Sequence, residues 1–118
     1  MERPQPKLSV AVLTYKHEQY VAQALDGIFM QQVNFDYEVV IADDCSPDGT
    51  RAIIEQYREK YPDKIRTVFP THNLGMWDNV LGLYNALEGE YYAFVEGDDY
   101  WTDKDKLQQQ VDFLEVNP

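Results

Sequence analysis

The chain has 118 residues, of which 44% are hydrophobic and 14% aromatic, so we expect one globular domain rather than a disordered polymer. Its 21 acidic and 10 basic residues give a net charge of −11, which argues against nucleic acids and anionic membrane surfaces as partners. The single cysteine, Cys45, excludes an intrachain disulfide and fits a reducing compartment. No apolar run approaches the roughly 20 residues that span a bilayer, and residues 1–7, which we expect to be irregular, lack the apolar core of a signal peptide.

Strands and helices are predicted to alternate along the chain. Short apolar, β-branched runs predict four strands, in the segments KLSVAVLTY, YEVVIA, KIRTVF and YYAFVE. A helix is predicted after each strand. This order is typical of a three-layer α/β/α domain with a mostly parallel sheet and right-handed crossovers, the Rossmann-like class of fold.

The predicted helices rest on apolar spacing and on cap residues. The first helix has an apolar stripe from Val21 to Phe29. Ser46, followed by Pro47, is predicted to cap the start of the second helix, and Gly89 the end of the third. The apolar stripes of the third and fourth helices are predicted at Trp77, Val80, Leu81, Tyr84 and Leu87, and at Leu107, Val111 and Leu114.

Unusual polar residues follow the strands at one predicted edge of the sheet. Ligands of open parallel sheets bind beyond the carboxyl ends of the strands, where the strand order reverses. The residues predicted at that edge are Thr14 and Tyr15 after the first strand, Asp43 and Asp44 after the second, His72, Asn73 and Gly75 after the third, and Glu96, Asp98 and Asp99 after the fourth.

Several of these residues also have a purely structural interpretation. An Asp pair after a strand often only opens a helix, because Asp is favoured near the positive helix end. Tyr15 by itself is more often a packing residue. His17 and His72 are expected at the surface or in loops, and two scattered histidines do not make a zinc site.

The EGDD segment, residues 96–99, is harder to explain by structure alone. Hard oxygen ligands with no neighbouring Arg or Lys suit Mg²⁺ or Mn²⁺, and a solvated surface turn is the alternative. A carboxylate after strand two can accept a hydrogen bond from the imino N–H of uracil, thymine or guanine, and a tyrosine ring can stack on the base. A metal at strand four would bridge a diphosphate, so the residues predict a metal-bound UDP-, dTDP- or GDP-linked ligand.

Four segments, in this order between Leu8 and Pro118, resemble the signature segments of family 2 glycosyltransferases of the GT-A fold. They are LSVAVLTYKHEQYVAQALDGI, YEVVIADDCSPDGT, NLG and GEYYAFVEGDDYW. The segment EGDDYWTDKDKLQQQVDFLE is similar to that of bacterial members which build cell-surface polysaccharides. The resemblance implies an inverting transfer of a sugar from a nucleotide sugar to a hydroxyl of a glycan or other acceptor. We expect this activity in the cytoplasm, where parts outside this chain could attach the protein to the inner face of the membrane.

The resemblance also implies roles for individual residues. Tyr15 would stack near the base, and Asp44 would contact the base or the ribose. Asp98 would hold the ribose or the metal, and Asp99 the metal. The remaining residues expected to bind the nucleotide sugar are Thr14, Asp43, Asn73 and Gly75; Asp43 ranks below Asp44 because bacterial members often have Glu there.

The chain departs from the family pattern in three respects. The family usually has Asn at the position of Lys16, and Asp at that of Glu96, which leaves Glu96 uncertain as a ligand. Family members also continue into an acceptor-binding half with a carboxylate that acts as general base, and nothing after Asp99 matches it. We therefore expect residues 8–118 to be the donor-binding part, truncated before the acceptor-binding half and inactive alone, with the general base beyond residue 118.

Three other functions compete with this interpretation. A non-catalytic nucleotide-sugar-binding module is the main alternative, because a general base is missing. A phosphoacceptor receiver domain would need its acidic pair after the first strand, whereas here the pairs follow strands two and four. A nucleotidyltransferase usually has a Gly-rich basic loop after strand one, and TYKHEQY contains no glycine. Association with further copies of the same chain is a further possibility that the sequence leaves open.

Overall fold

The computed structural model describes residues 5–116 and contains the eight predicted elements in the predicted order. The elements are β1 (Leu8–Thr14), α1 (Val21–Phe29), β2 (Tyr37–Asp43), α2 (Thr50–Lys60), β3 (Ile65–Val68), α3 (Met76–Ala86), β4 (Tyr91–Glu96) and α4 (Lys106–Val116). Of the predicted irregular N-terminus, residues 5–7 precede β1 without regular structure and the rest lies outside the described residues. No helix among residues 5–116 is long and apolar enough to cross a membrane.

The four strands form one parallel sheet in the order β3-β2-β1-β4, which confirms the predicted α/β class. The chain runs outward from β1 through β2 to β3 and then returns to place β4 on the other side of β1. The strand order therefore reverses between β1 and β4. In register, Thr14 pairs with Asp43 and Leu13 with Glu96, so the carboxyl ends of β2, β1 and β4 lie side by side.

One face of the sheet carries most of the hydrophobic core. Val10 and Val12 of β1 point to this face and pack with residues of α1, α2 and α4, such as Leu25, Ile54 and Leu107. The helical spacing of α1 puts its apolar side chains on a single buried stripe, as predicted. Each fully buried aliphatic side chain of this kind contributes roughly 1.5–3 kcal/mol relative to an exposed one.

The opposite face is covered only in part. Ala11 of β1, with Val40 and Ala42 of β2, packs against Leu83 and Leu87 at α3. No other helix among residues 5–116 contributes to this second core cluster. The small side chains let α3 lie close to the sheet above β1 and β2, and the half of this face above β4 is left open.

The predicted apolar stripe of α3 is helical and includes the buried Leu87, but most of it does not face the core. Trp77 is 76% exposed and Leu81 59% exposed, while α3 buries Asn79 and Leu83 instead. Tyr84 lies beside two exposed β4 rings; its ring centroid is 6.5 Å from that of Phe94, with the rings nearly parallel. We call this surface the aromatic face; it consists of Trp77, Leu81, Tyr84, Tyr92 and Phe94.

Two predicted helix ends are also wrong. Helix α2 begins at Thr50 rather than after Ser46, and the Ser46 hydroxyl oxygen accepts from the backbone N–H of Lys16 instead of from a helix N–H. Helix α3 ends at Ala86, three residues before Gly89. Gly89 is needed for close packing instead, since a Cβ there would lie 2.4 Å from the backbone nitrogen of Ser9.

A buried charge, which the sequence analysis missed, joins the amino ends of the strands. Glu38 is fully buried, and its Oε1 accepts from Nε and Nη2 of Arg66 at 3.0 and 2.7 Å. Its Oε2 accepts from the Ser9 hydroxyl and from the backbone N–H of Glu88. Burial by itself raises the pKa of Glu38, but the hydrogen bonds from Ser9, Glu88 and Arg66 outweigh it and hold the pKa below its ordinary value.

The open side of β4 predicts self-association. Among residues 5–116, β4 pairs only with β1, so its outer edge offers unpaired backbone groups beside exposed aromatic rings. We expect sedimentation velocity to show association that increases with protein concentration. Phe94→Lys should weaken it at least about tenfold, because a lysine on an edge strand opposes pairing. Met30→Lys, a similarly exposed apolar residue beyond α1, is the control. A wild-type monomer at every concentration would contradict the prediction.

Candidate functional site

A cleft of about 260 Å³ lies at the carboxyl ends of β1 and β4, where the strand order reverses. This is the position at which open α/β sheets bind ligands. Its walls come from the end of β1, the end of β2, the first turn of α3 and the end of β4. The lining residues are Leu13, Thr14, Tyr15, His17, Asp44, Met76, Asn79 and Glu96.

A larger hollow of about 530 Å³ lies on the open side of β4, against α4. Its walls are mainly aromatic and amide side chains, including Tyr92, Phe94 and Phe113. It contains no carboxylate and only one basic side chain, that of Lys106. We therefore place the candidate site in the smaller cleft, where the acidic residues meet.

Asp43 lies below the cleft as part of its scaffold. The side chain is fully buried, and Oδ1 accepts from the hydroxyls of Thr14 and Ser46 at 2.8 and 2.6 Å. Oδ2 accepts from the Ser46 backbone N–H and from Nε of Arg51, both at 2.9 Å. Four donors use the whole acceptor capacity of a carboxylate, so Asp43 has none left for a ligand.

Asp44, by contrast, lines the cleft and anchors the loop that leads into α3. Its Oδ1 accepts from the backbone N–H of Leu74 at 2.6 Å, and its Oδ2 from that of Gly75 at 3.0 Å. The Asn73 amide donates to the Asp44 backbone carbonyl at 3.1 Å. Gly75 has a φ of 91°, a conformation that favours glycine. Asn73 and Gly75 thus support Asp44 rather than line the cleft, and each Asp44 oxygen keeps one lone pair for a ligand.

Tyr15 extends from the end of β1 into the cleft wall and is 39% exposed. The ammonium of Lys16 lies 5.2 Å from the centre of the Tyr15 ring, within the range of a cation–π interaction. Lys16 has a φ of 58°, in the left-handed region that Asn and Gly adopt more readily than Lys. The family resemblance predicts Asn at this position, so the replacement by Lys costs backbone strain.

The EGDD segment forms a tight turn at the end of β4. The Gly97 N–H donates to the Leu13 carbonyl at 2.9 Å, which extends the pairing with β1, and the Asp99 N–H donates to the Glu96 carbonyl at 2.9 Å. Glu96 lines the cleft, whereas Asp98 and Asp99 lie exposed on the turn beyond it.

The turn offers three carboxylates but no complete metal site by itself. No Lys or Arg within residues 5–116 forms an ion pair with Glu96, Asp98 or Asp99. In the same part of the chain, no group of three or more His, Cys, Asp or Glu residues is placed to hold a metal. Asp98 and Asp99, neither of which pairs with a Lys or Arg of the described residues, fit a Mg²⁺-like ion, which takes its other ligands from water and substrate phosphates.

His17 lies in the loop after β1, as predicted, but the sequence analysis did not place it at the cleft. Its side chain is only 21% exposed and lines the cleft, with Nε2 at 4.0 Å from Oδ2 of Asp98. Its position three residues after the end of β1 was the available signal. His72, in contrast, is exposed as predicted.

Two further lining residues, Met76 and Asn79, belong to the first turn of α3 and were also missed. They reach the cleft because Asp44 holds the residues just before this helix, Leu74 and Gly75, in place. Within the described chain, the buried side-chain polar atoms without a hydrogen-bond partner are Oδ1 of Asn79 and Nδ1 of His17. Both residues line this one cleft: Nδ1 of His17 is buried against Gly97, and an unpaired atom such as Oδ1 of Asn79 is expected where a ligand completes the hydrogen bonding.

Comparison with known proteins gives a consistent picture. The model of glycosyl transferase family 2 matches residues 9–118. An uncharacterized protein of Mycobacterium tuberculosis is 42% identical over 111 residues, which cover 94% of this chain and 32% of that protein.

Solved structures of two glycosyltransferases share the fold. Residues 1–349 of the poly(ribitol-phosphate) beta-N-acetylglucosaminyltransferase TarS of Staphylococcus aureus, in complex with UDP, align with a TM-score of 0.83 and 33% identity over 93% of this chain. The mannosyltransferase PcManGT of Pyrobaculum calidifontis, in complex with GDP-Man and Mn²⁺, aligns with a TM-score of 0.81 and 27% identity over 94% of this chain. The chain spans about a third of each of these two structures, 32% and 33%.

The scaffold role of Asp43 predicts a large loss of stability on its removal. Asp43→Ala leaves Nε of Arg51 and the Ser46 hydroxyl without their acceptor, and we expect the free energy of unfolding to fall by about 3 kcal/mol. Urea denaturation followed by circular dichroism measures it. Asp63→Ala, an exposed aspartate beyond α2, should change stability by less than about 0.5 kcal/mol. Equal stability of the two variants would contradict the scaffold role.

Proposed function

Because the chain belongs to glycosyl transferase family 2, we propose that it binds the nucleotide-sugar donor in an inverting glycosyltransferase. Such an enzyme would transfer the sugar to an acceptor hydroxyl during the synthesis of a surface polysaccharide or other glycan. The observation that carries the proposal is the cleft at the reversal of strand order, which joins an aromatic ring, a buried acceptor and a carboxylate-rich turn. The UDP and GDP-Man bound to TarS and PcManGT support it.

The base is proposed to lie between Tyr15 and Asp44. The exposed part of the Tyr15 ring offers a stacking surface, and the spare lone pairs of Asp44 offer an acceptor at the edge of the base. Uracil, thymine and guanine have an imino N–H to donate, whereas cytosine and adenine do not. The donor is therefore a UDP-, dTDP- or GDP-sugar in this proposal, and Thr14, Asn73 and Gly75 contribute by holding these two side chains in place.

A divalent cation, Mn²⁺ or Mg²⁺, is proposed as the cofactor. The two aspartates of the turn differ in their surroundings: Oδ2 of Asp98 lies 4.0 Å from Nε2 of His17, whereas Asp99 forms no ion pair with any described residue. We assign the direct ligand to Asp99 and a contact with the ribose or a metal-bound water to Asp98. When bound, the cation would supply charge neutralisation for the diphosphate leaving group, which suits a chain of net charge −11.

The general base that activates the acceptor hydroxyl is proposed to lie beyond residue 118, in an acceptor-binding half. The later acidic residues of the described chain are poorly placed for this role. Glu115, for example, pairs with Lys7 at 2.6 Å, next to the amino end of β1 and so at the opposite edge of the sheet from the cleft. The aromatic face and the open edge of β4 are suitable surfaces for the acceptor-binding half.

A non-catalytic nucleotide-sugar-binding module is the second candidate, and the poor placement of these later acids favours it. Sugar transfer by a longer protein that contains this chain would separate the two candidates. Transfer supports the glycosyltransferase. Tight nucleotide binding without transfer, in the presence of several acceptors, supports the binding module.

The first prediction from this site concerns base selectivity. We expect UDP, dTDP and GDP to bind at least about tenfold more tightly than CDP and ADP in calorimetric titrations with Mn²⁺. Asp44→Asn should weaken UDP binding by about 1.5–3 kcal/mol, because the charge-assisted hydrogen bond is lost. Since this variant also loosens the anchor of Leu74 and Gly75, the ratio of UDP to CDP affinity is the decisive quantity. Asp63→Asn is the control, and equal wild-type affinities for UDP and CDP would contradict the role of Asp44.

The second prediction concerns the metal. UDP and Mn²⁺ should bind cooperatively, each raising the affinity of the other by the same factor, about tenfold. Asp99→Ala should abolish this coupling, while Asp98→Ala should weaken UDP binding to a similar extent in Mn²⁺ and in EDTA. Asp112→Ala, an exposed acid on α4, serves as the control. Wild-type affinity for UDP that does not change in excess EDTA would contradict the metal assignment.

A further inference from the structure

His17 connects three elements at the edge of the cleft. Its backbone N–H donates to the Thr50 hydroxyl at the start of α2, at 3.0 Å. Its carbonyl accepts from the N–H groups of Tyr20 and Val21 at the start of α1, at 2.9 and 2.8 Å. The backbone of His17 is thus held from two sides, and the imidazole ring takes no part in these hydrogen bonds.

The imidazole packs directly against the EGDD turn. A Cβ built on Gly97 would lie 2.6 Å from Nδ1 of His17 and 2.7 Å from Cγ2 of Thr14, so only glycine fits beside the ring. Nδ1 is buried in this contact and has no hydrogen-bond partner within residues 5–116. An unpaired buried nitrogen lowers stability, and packing alone would favour an apolar ring such as Phe. The second ring nitrogen offers a reason to keep an imidazole.

Nε2 of His17 lies 4.0 Å from Oδ2 of Asp98. A neutral imidazole carries one N–H, and with the proton on Nε2 it can donate to this carboxylate after a shift of about 1 Å. Asp98 has no other side-chain partner among the described residues, and its side chain is half-exposed. Within residues 5–116, His17 is therefore the side chain that can fix the orientation of the Asp98 carboxylate.

We propose that His17 is a positioning residue for nucleotide binding. Its ring, wedged against Gly97, sets the path of the turn after β4, and its Nε2–H holds the Asp98 carboxylate in the orientation that meets the bound nucleotide. The inference rests on the proposed function, because the partner of Asp98 in it is the nucleotide. It also explains why the turn has glycine between Glu96 and Asp98.

Substitutions that keep one nitrogen at a time test the proposal. The amide nitrogen of Gln can reach the place of Nε2, whereas that of Asn reaches only the place of Nδ1, and Phe keeps the ring volume without either. We expect His17→Phe and His17→Asn to weaken UDP binding about tenfold by calorimetry, in Mn²⁺ and in EDTA alike, as Asp98→Ala does. His17→Gln should stay within about threefold of wild type. His72→Phe changes the only other histidine, which is exposed, and should bind UDP as wild type does.

A double-mutant cycle separates positioning from a general structural effect. If His17 acts through Asp98, the double variant H17F/D98A binds UDP no more weakly than D98A alone. Additive losses would overturn the proposal, as would wild-type affinity of H17F. Thermal unfolding of H17F should occur at or above the wild-type temperature, because an unpaired buried nitrogen is removed.

The outcomes also separate this inference from the proposed function. If the wild-type chain binds UDP, and the H17F/D98A double variant binds it no more weakly than D98A, both the positioning role and the proposed function are supported. If the wild-type chain binds UDP but the losses of H17F and D98A add up in the double variant, the positioning role alone is overturned. A folded wild-type chain that binds no nucleoside diphosphate, with or without Mn²⁺, overturns both. If H17F fails to fold, the comparison of His17→Gln with His17→Asn decides, since weaker binding by His17→Gln than by His17→Asn overturns the proposal.

Discussion

The fully satisfied carboxylate of Asp43 is the contact on which the candidate site depends. It is completely buried between the ends of β1 and β2, and it accepts hydrogen bonds from Thr14, Ser46 and Arg51. A buried charge is tolerated only when such donors surround it, so the loop after β2 has little freedom once the chain has folded. This loop carries Asp44 into the cleft, and it delivers Thr50 to the backbone of His17.

The rest of the cleft is built outward from this scaffold. Parallel register places Thr14 beside Asp43 and Leu13 beside Glu96, which brings three strand ends to one edge. Asp44 then fixes the turn at Gly75 and with it the start of α3. Acidic groups, an aromatic ring and two buried polar atoms without partners thus share a small volume. Such a combination lowers the stability of the fold and is expected where a ligand binds.

The uneven cover of the sheet is the second constraint. Three helices pack on one face, whereas α3 alone contributes to the core on the other. The aromatic face and the outer edge of β4 are left to solvent within the described part of the chain. The apolar spacing of Trp77, Leu81 and Tyr84 was correctly predicted to be helical, but spacing shows only which residues share a side and not whether anything covers that side.

The sequence by itself determined the elements, their order, the parallel sheet and the edge at which the acidic residues gather. These features follow from local periodicity and from the rule that parallel strands end at a common edge. Tertiary structure alone decided that Asp43 is scaffold while Asp44 faces the cleft, since adjacent aspartates look alike until their donors are known. It also decided that helix α2 starts at Thr50, with the Ser46 hydroxyl oxygen bonded to the Lys16 backbone, and that His17 lies against Gly97. Such roles depend on which donors and side chains meet in the folded chain, some of them far apart in sequence like His17 and Gly97, and a pattern of residue types does not show those contacts.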